Sequence, residues 1–437
     1  MKKLLTVLII VSILLISVIP AFSEPASPNG LDINAKACIL IDSKTGQVLY
    51  QLNADTTHLY PASTTKMMTA IIAIENSKPD QIMTASQKAI DDIGDGGMNI
   101  GIMPGEQLTM QQLLEPLLIS SANEAANILS ENVFSSQSEF IDKMNEKAQE
   151  IGATNTHFLN PNGMQDPDHY TTARDLSTIA RYAMTLPLFK ETVEKTQYKL
   201  DPTNKHSEWP VLGTGNTFLY RKSHYYTKAL GIKTGYTTEA GHNLVAAAAN
   251  DSGMELIAVV MGVFVPNAKV KANEYCQDLL DYGFKNYSIQ QVSGANEPVQ
   301  EISDIKDAKD NTALKLVTAA SVSSVLPNDK NEWNIEKTKH LNQDIKAPIN
   351  KGTALGYIEY KRNGILLGKT DIVAANDILV KKSVQFKNKM SNIVNSIKNS
   401  ILFITCVILL AALVLLWLIR KVLKMVSRSL KTLRRKN

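Results

Sequence analysis

Ser63-Thr64-Thr65-Lys66 sets a hydroxyl and an amine three residues apart. On a helix that spacing brings both side chains onto one face, within reach of each other. A serine hydroxyl attacks poorly until something takes its proton. A lysine takes it only if its pKa falls from about 10.4 toward neutrality. Burial lowers that pKa, and so does a second cation nearby. Lys233, opening Lys233-Thr234-Gly235, is the natural second cation. Ser121-Ala122-Asn123 adds a second hydroxyl and a side-chain amide between the two. Pro61-Ala62 fits a chain entering a helix just ahead of Ser63, where the helix dipole favours developing negative charge. Alone, each piece has a plainer reading. A serine at a helix start is most often a cap. Ser121–Asn123 reads as an ordinary helix–helix turn and Lys233–Gly235 as a strand end. Their conjunction on one exported chain describes an activated serine whose base is a lysine.

Particular elements must hold those residues. Ala37–Asp42 reads as a strand, Ser43–Gly46 as a turn and Gln47–Gln51 as the returning strand, a hairpin directly ahead of Ser63. From Ser63 to about Leu186 the apolar period turns helical, through Met67, Met68, Ala70, Ile71 and Ile72, then Leu113, Leu114, Leu117 and Leu118, then Phe140, Met144 and Ala148. Phe158–Gly163 is a turn-rich loop, and Thr171–Leu176 reopens a helix with a hydroxyl cap. Strands return as a short Leu230–Thr234, then Asn243–Ala249 and Leu256–Val263 joined by the turn tetrad Asn250–Gly253; Val270–Phe284 closes with a helix. The expected class is α+β, an antiparallel sheet with a helical lobe, over residues 34–286. A small all-β segment follows over 287–382, with Arg362-Asn363-Gly364 as its strongest hairpin signal.

The ends set compartment and attachment. Lys2 and Lys3, the apolar run Leu4–Ile19, Pro20 and Ala21-Phe22-Ser23 read as a signal peptide over 1–23; the alternative is an uncleaved anchor helix. Residues 383–400 read as a juxtamembrane amphipathic segment carrying Phe386, Met390, Ile393, Val394 and Ile397. Ile401–Ile419 is apolar and just spans a hydrocarbon core of roughly 30 Å. The tail 420–437 has eight cations and no acid, which predicts a cytoplasmic tail and a body outside the cell membrane. That tail reads equally as an amphipathic helix on anionic inner-leaflet lipid or as a solvated stop-transfer segment.

The formal charge is +4; two signal lysines and eight tail cations supply ten positive charges, so the remainder carries −6. An acidic body does not argue for nucleic acid as a partner. Cys38, Cys276 and Cys406 make no disulfide framework; Cys38 and Cys276 read as buried thiols, with a bridge between them open outside the cell. No His/Cys spacing suggests a metal, and no cofactor is expected.

The Ser-x-x-Lys, Ser-x-Asn and Lys-Thr-Gly trio also occurs in penicillin-binding proteins and class A β-lactamases. Beyond the trio, Tyr60–Thr69, Ser121–Ala125, Phe158–Gly163, His169–Ala173, Gly231–Thr237 and Gly241–Val245 are similar to one group in particular. The chain resembles the low-molecular-mass penicillin-binding proteins that are serine-type D-Ala-D-Ala carboxypeptidases, peptidase family S11. The likeness runs from Ala37 to about Tyr287 and more weakly through the β segment. It implies a penicillin-binding-protein/β-lactamase-like domain. It also implies Ser63 as nucleophile on the penultimate D-alanine of a peptidoglycan stem peptide, Lys66 as base, and Ser121 as proton relay. Asn123 would bind the substrate amide, and Lys233 and Thr234 the terminal carboxylate. The Ser63 and Tyr236 N–H groups, the latter just past Gly235, would form the oxyanion hole. β-Lactams would acylate Ser63 and stay.

Two departures stand out. Relatives often carry an arginine after the last strand for the carboxylate; here the stretch is Asn267–Lys271, so Lys269 or Lys271 must serve, without the bidentate fork. Tyr236 stands where histidine or threonine is also common, which tunes fit and leaves the amide unaffected. A class A-like β-lactamase is the rival enzyme, but no Glu-x-x-Leu-Asn element lies between Asn123 and Lys233. A catalytically silent wall-binding scaffold is the other alternative, and the intact trio argues against it.

Overall fold

Along Ala37–Asp42 (β1) alternate side chains point to opposite faces, and both faces are covered. Ala37, Ile39 and Ile41 join one apolar core, while Cys38 and Leu40 join another. Residues 37–41 are therefore continuously apolar, as a strand buried on both sides must be, and Asp42 ends the strand. The computed structural model describes residues 31–219, 225–309 and 312–433. The signal segment 1–23 lies outside them.

β1 turns back into Val48–Leu52 (β2), close to the expected hairpin. Later in the chain come Ala229–Thr237 (β3), Gly241–Ala249 (β4) and Glu255–Val263 (β5). The antiparallel order is β2-β1-β5-β4-β3, so the first strand pairs with the last and the ends of this segment meet. β3 lies at one edge of the sheet and β2 at the other. β3 is longer than the apolar run Leu230–Thr234 suggested, because its pairing with β4 continues through Tyr236–His242 and Thr237–Gly241.

Between β2 and β3 lies the helical lobe. Lys66–Asn76 (α1) is buried from Lys66 through Ala73 and forms its centre. Around it come Gln87–Asp91 (α2), Met110–Glu115 (α3), Asn123–Asn132 (α4), Gln137–Glu150 (α5), Ala173–Ala183 (α6) and Pro187–Val193 (α7). Thr109 caps α3 with a reciprocal Gln112 box, and Thr172 Oγ1 accepts from Asp175 N at the start of α6. Lys147 ties three helices together, pairing with Glu75 at 3.0 Å and lying over the Tyr182 ring. Ala268–Asn286 (α8) covers the other face of the sheet, where Cys276 is buried beside the Cys38 core; both thiols are free.

The chain forms two compact units. One runs to Val292 and includes 323–337 and 359–368; the other comprises 293–322, 338–358 and the remainder. The β-rich stretch contains Tyr287–Ser293 (β6), Pro298–Ile302 (β7), Leu314–Thr318 (β8), Val322–Pro327 (β9), Ile335–Leu341 (β10), Ala354–Arg362 (β11) and Ile365–Ala374 (β12). Five of these form a sheet in the order β7-β8-β12-β11-β10. Asn363 and Gly364 join β11 to β12 with φ of +50° and +76°, the mirror-image turn that Asn-Gly favours.

Lys382–Leu433 (α9) is one helix, about 78 Å long at 1.5 Å per residue. Three segments were expected here. No glycine or proline interrupts residues 382–433, so nothing ends the helix where the composition changes. Its apolar stretch reaches a mean hydropathy of 3.1 and is long enough to cross a membrane.

Candidate active site

The site is built where α1, α4 and the edge of the sheet converge. Ser63 sits in a short 3-10 turn, Ala62–Thr65, that feeds α1. Ala62 enters that turn at φ +48°, an unusual conformation for a residue with a side chain. Two chain segments press on the turn and hold it there. A Cβ at Gly163 would lie 1.9 Å from the Ala62 carbonyl oxygen, and one at Gly235 would lie 2.8 Å from that of Pro61. Only glycine permits both approaches. From β4, Asn243 Nδ2 donates to the carbonyls of Tyr60 at 2.9 Å and Pro61 at 3.2 Å. Thr64 Oγ1 donates to the same Pro61 carbonyl at 2.7 Å.

Lys66 is fully buried, and its Nζ has three oxygen neighbours. Ser63 Oγ is at 3.0 Å, Asn123 Oδ1 at 2.7 Å and the main-chain oxygen of Asn162 at 2.7 Å. Burial drives the Lys66 pKa well below its ordinary value; the charge of Lys233 pushes the same way and Glu124 opposes both.

Ser121 ends a wide helical turn, Pro116–Ser120, in the left-handed region at φ +63°. That reversal presents Ser121 to β3, where Lys233 Nζ donates to Ser121 Oγ at 2.9 Å and to the Thr234 carbonyl at 3.0 Å. Lys233 is 2% exposed, and burial pulls its pKa down to about 7. Asn123 opens α4; its Oδ1 faces Lys66 while its Nδ2 donates to the Ile93 carbonyl at 2.7 Å. The expected residues therefore fall into two hydrogen-bonded sets, Ser63, Lys66 and Asn123 in one and Ser121 and Lys233 in the other, coupled by the charge of Lys233 on Lys66.

Thr234, Gly235 and Tyr236 continue along β3 beside the Ser63 turn. Tyr236 is 57% exposed and stacks on His242 of β4, with ring centroids 4.3 Å apart. The two candidate carboxylate cations differ. Lys271 is paired with Glu274 one turn along α8 at 2.6 Å. The charge of Lys269 acts on His242 and helps burial hold that imidazole below its ordinary pKa.

Several residues at the site carried no assigned role in the sequence. Glu124 is fully buried; its Oε1 accepts from the N–H of Ile100 at 2.6 Å, while Oε2 has no partner. His169 Nδ1 accepts from Leu159 N at 3.1 Å, which leaves Nε2–H to donate to Thr65 Oγ1 at 2.9 Å. Burial lowers the His169 pKa to about 4 and keeps the ring neutral. No cluster of His, Cys, Asp and Glu suited to a metal occurs among the described residues.

Comparison with known proteins decides what this site belongs to. The family described as D-alanyl-D-alanine carboxypeptidase, peptidase S11, matches residues 22–265. The chain belongs to this family. It is a D-alanyl-D-alanine carboxypeptidase with a penicillin-binding-protein fold. The family of the penicillin-binding protein 5 C-terminal domain matches residues 287–379, over the β-rich stretch. D-alanyl-D-alanine carboxypeptidase DacF of Bacillus subtilis is 32% identical over 389 residues, 86% of this chain and 95% of that protein. DacB2 of Mycobacterium tuberculosis is 32% identical over 270 residues, 61% of this carboxypeptidase and 86% of the relative. Among solved structures, penicillin-binding protein 5 of Haemophilus influenzae is 26% identical with a TM-score of 0.62, covering 80% of this chain and 99% of its own. These relatives lend no support to the β-lactamase or silent-scaffold alternatives.

Proposed function

We propose that this carboxypeptidase removes the terminal D-alanine of peptidoglycan stem pentapeptides through an acyl-enzyme on Ser63, with Lys66 as the base. The observation that carries the proposal is the set of three oxygens around Lys66 Nζ. Two of them, Asn123 Oδ1 and the Asn162 carbonyl, only accept. A neutral amine has two N–H bonds, and both go to those carbonyls. The lone pair is then left for the Ser63 hydroxyl. Burial and the neighbouring Lys233 charge both push this amine toward its neutral form.

Ser63 Oγ attacks the carbonyl carbon of the penultimate D-alanine while its proton passes to Lys66. The tetrahedral oxyanion is received by the Ser63 and Tyr236 N–H groups. The C–N bond breaks, and Ser121, polarised by Lys233, relays the proton to the departing amine. Water then attacks the ester carbonyl as Lys66 takes its proton; the ester C–O bond breaks, and Lys66 returns the proton to Ser63 Oγ. Asn123 holds the substrate amide. Lys233, Thr234 and Lys269 hold the terminal carboxylate, since Lys271 is engaged by Glu274. A β-lactam enters the same path, and its ring carbonyl acylates Ser63.

The body works outside the membrane, and α9 anchors it with the basic tail inside. Arg420, Lys421 and Lys424, which follow the apolar stretch with no acid, support this orientation.

The test uses the full-length protein in detergent micelles. A fluorescent penicillin should label wild type and leave Ser63→Ala dark, and wild type should release D-alanine from a pentapeptide stem. Rapid turnover of benzylpenicillin, or no D-alanine release from protein that labels, would overturn the reading.

A further inference from the structure

Asn127 lies one helical turn after Asn123, on the same face of α4, and is 1% exposed. The two asparagines are used in parallel. Asn123 Nδ2 donates to the Ile93 carbonyl; Asn127 Nδ2 donates to the carbonyls of Ala89 at 2.9 Å and Asp92 at 3.1 Å. Both thus grip the end of α2 and the residues just past it. Their oxygens then diverge. Asn123 Oδ1 reaches Lys66 directly, whereas Asn127 Oδ1 accepts from Asn162 Nδ2 at 3.0 Å.

Asn162 carries the second arm to the same amine. Its main-chain oxygen accepts from Lys66 Nζ at 2.7 Å, and its side-chain oxygen accepts from Met164 N at 2.9 Å. The loop around it is closed by its own amides: Asn160 Oδ1 accepts from Gly163 N, and Asn160 Nδ2 donates to the Met164 carbonyl. Asn127 is the side chain that ties this closed loop to α4. A buried amide with both ends committed is expensive to disturb, so it fixes the direction of whatever it holds.

We propose that Asn127 is a positioning residue for the reaction: through Asn162 it aims one of the two carbonyls that orient Lys66 toward Ser63. The inference rests on Lys66 being the base. Without Asn127 the loop keeps its own amide bonds and the bond from Thr69 Oγ1 to the Pro161 carbonyl, but the Asn162 carbonyl loses its tie to α4 and its direction shifts. Lys66 then loses an acceptor for its N–H and a fixed direction for its lone pair. The charged groups that act on Lys66 are Lys233 and Glu124. Neither is among the hydrogen-bond partners of Asn127.

The experiment measures fluorescent-penicillin acylation of the full-length protein against pH for wild type, Asn127→Leu, Asn162→Ala and the double variant. The labelling amplitude counts folded sites, and the rate per labelled site reads the chemistry. Asn127→Leu should acylate ~10- to 100-fold more slowly on the plateau, the cost of a misaimed reacting group. Its acid limb should move to lower pH, because the ammonium has lost an acceptor. The double variant should be no slower than the worse single one. A wild-type rate in Asn127→Leu, an unmoved limb, or additive losses would each overturn the proposal. If Asn127→Leu gives no labelled protein, Asn127→Asp keeps the oxygen that Asn162 needs and takes its place; it should retain more rate per site than Asn162→Ala, and the reverse order overturns the proposal. Failure of wild type itself to label would instead remove the Ser63 reading beneath it.

Discussion

Lys233 Nζ is bonded to Ser121 Oγ at 2.9 Å, and Lys66 Nζ is bonded to Ser63 Oγ at 3.0 Å, so each buried lysine has its own serine. The lysines nonetheless act on each other through space, since the charge of Lys233 lowers the pKa of Lys66. One side chain therefore does two things: it donates to the relay hydroxyl, and in its charged form it pulls the Lys66 pKa down.

Lys233→Gln tests both. The side chain can still donate to Ser121, but its charge is gone. Lys66 then holds its proton to higher pH, and the acid limb of the acylation profile should move up. The plateau should fall by ~100-fold or more as electrostatic help at the relay and the carboxylate is lost. Stopped acylation measured from pH 5 to 10 reads limb and plateau separately. An unmoved limb would show that burial alone lowers Lys66.

Glu124→Gln should move the limb the opposite way. The Glu124 carboxylate raises the Lys66 pKa, working against burial. Glutamine keeps an oxygen for the N–H groups of Ile100 and Gly101 while removing the charge. Lys66 should lose its proton at lower pH, and acylation below neutrality should speed up. The same profile checks it, and a limb displaced upward would contradict the assignment.

His169 gives a stability prediction. Burial holds its folded pKa at about 4 against an ordinary 6.5. The unfolded chain thus binds the extra proton first as pH falls. The neutral ring's contribution is complete above pH 6.5 and is lost progressively as pH falls to about 4, by about 3 kcal/mol in all. Buried acids whose pKa is raised, such as Asp175, work in the other direction, so the comparison must be against His169→Gln. Denaturant unfolding at pH 7 and pH 4.5 should show a steeper loss in wild type than in the variant.

Much of this molecule was legible because its chemistry is written in side chains at fixed spacing. Ser63 and Lys66 meet because residues three apart share a helical face, and the two-faced burial of β1 follows from an unbroken apolar run. What stayed hidden had no side-chain signature. The second acceptor of Lys66 is a main-chain oxygen at Asn162, which any residue would possess. Asn127 and Asn243 look like ordinary polar residues of a helix and a strand until their partners are known. The left-handed Ser121 follows a wide turn that breaks the helical period, and no apolar pattern announces such a turn.

Lys269 and Lys271 looked equivalent in the sequence, and α8 separates them. Two residues apart on a helix, they point in different directions. Lys271 is neutralised by Glu274, while Lys269 acts on His242, the ring stacked beneath Tyr236 at the end of β3. If Lys269 meets the substrate carboxylate, Lys269→Ala should raise KM for a pentapeptide stem by ~10-fold, the worth of one charge-assisted hydrogen bond, with kcat little changed. Lys269→Arg should recover the loss or improve on wild type, because the guanidinium supplies the fork that lysine lacks. Lys271→Ala should change KM less than Lys269→Ala does. Steady-state D-alanine release from the three variants decides it: a larger KM effect at Lys271 would mean that the ion pair with Glu274 opens when substrate binds.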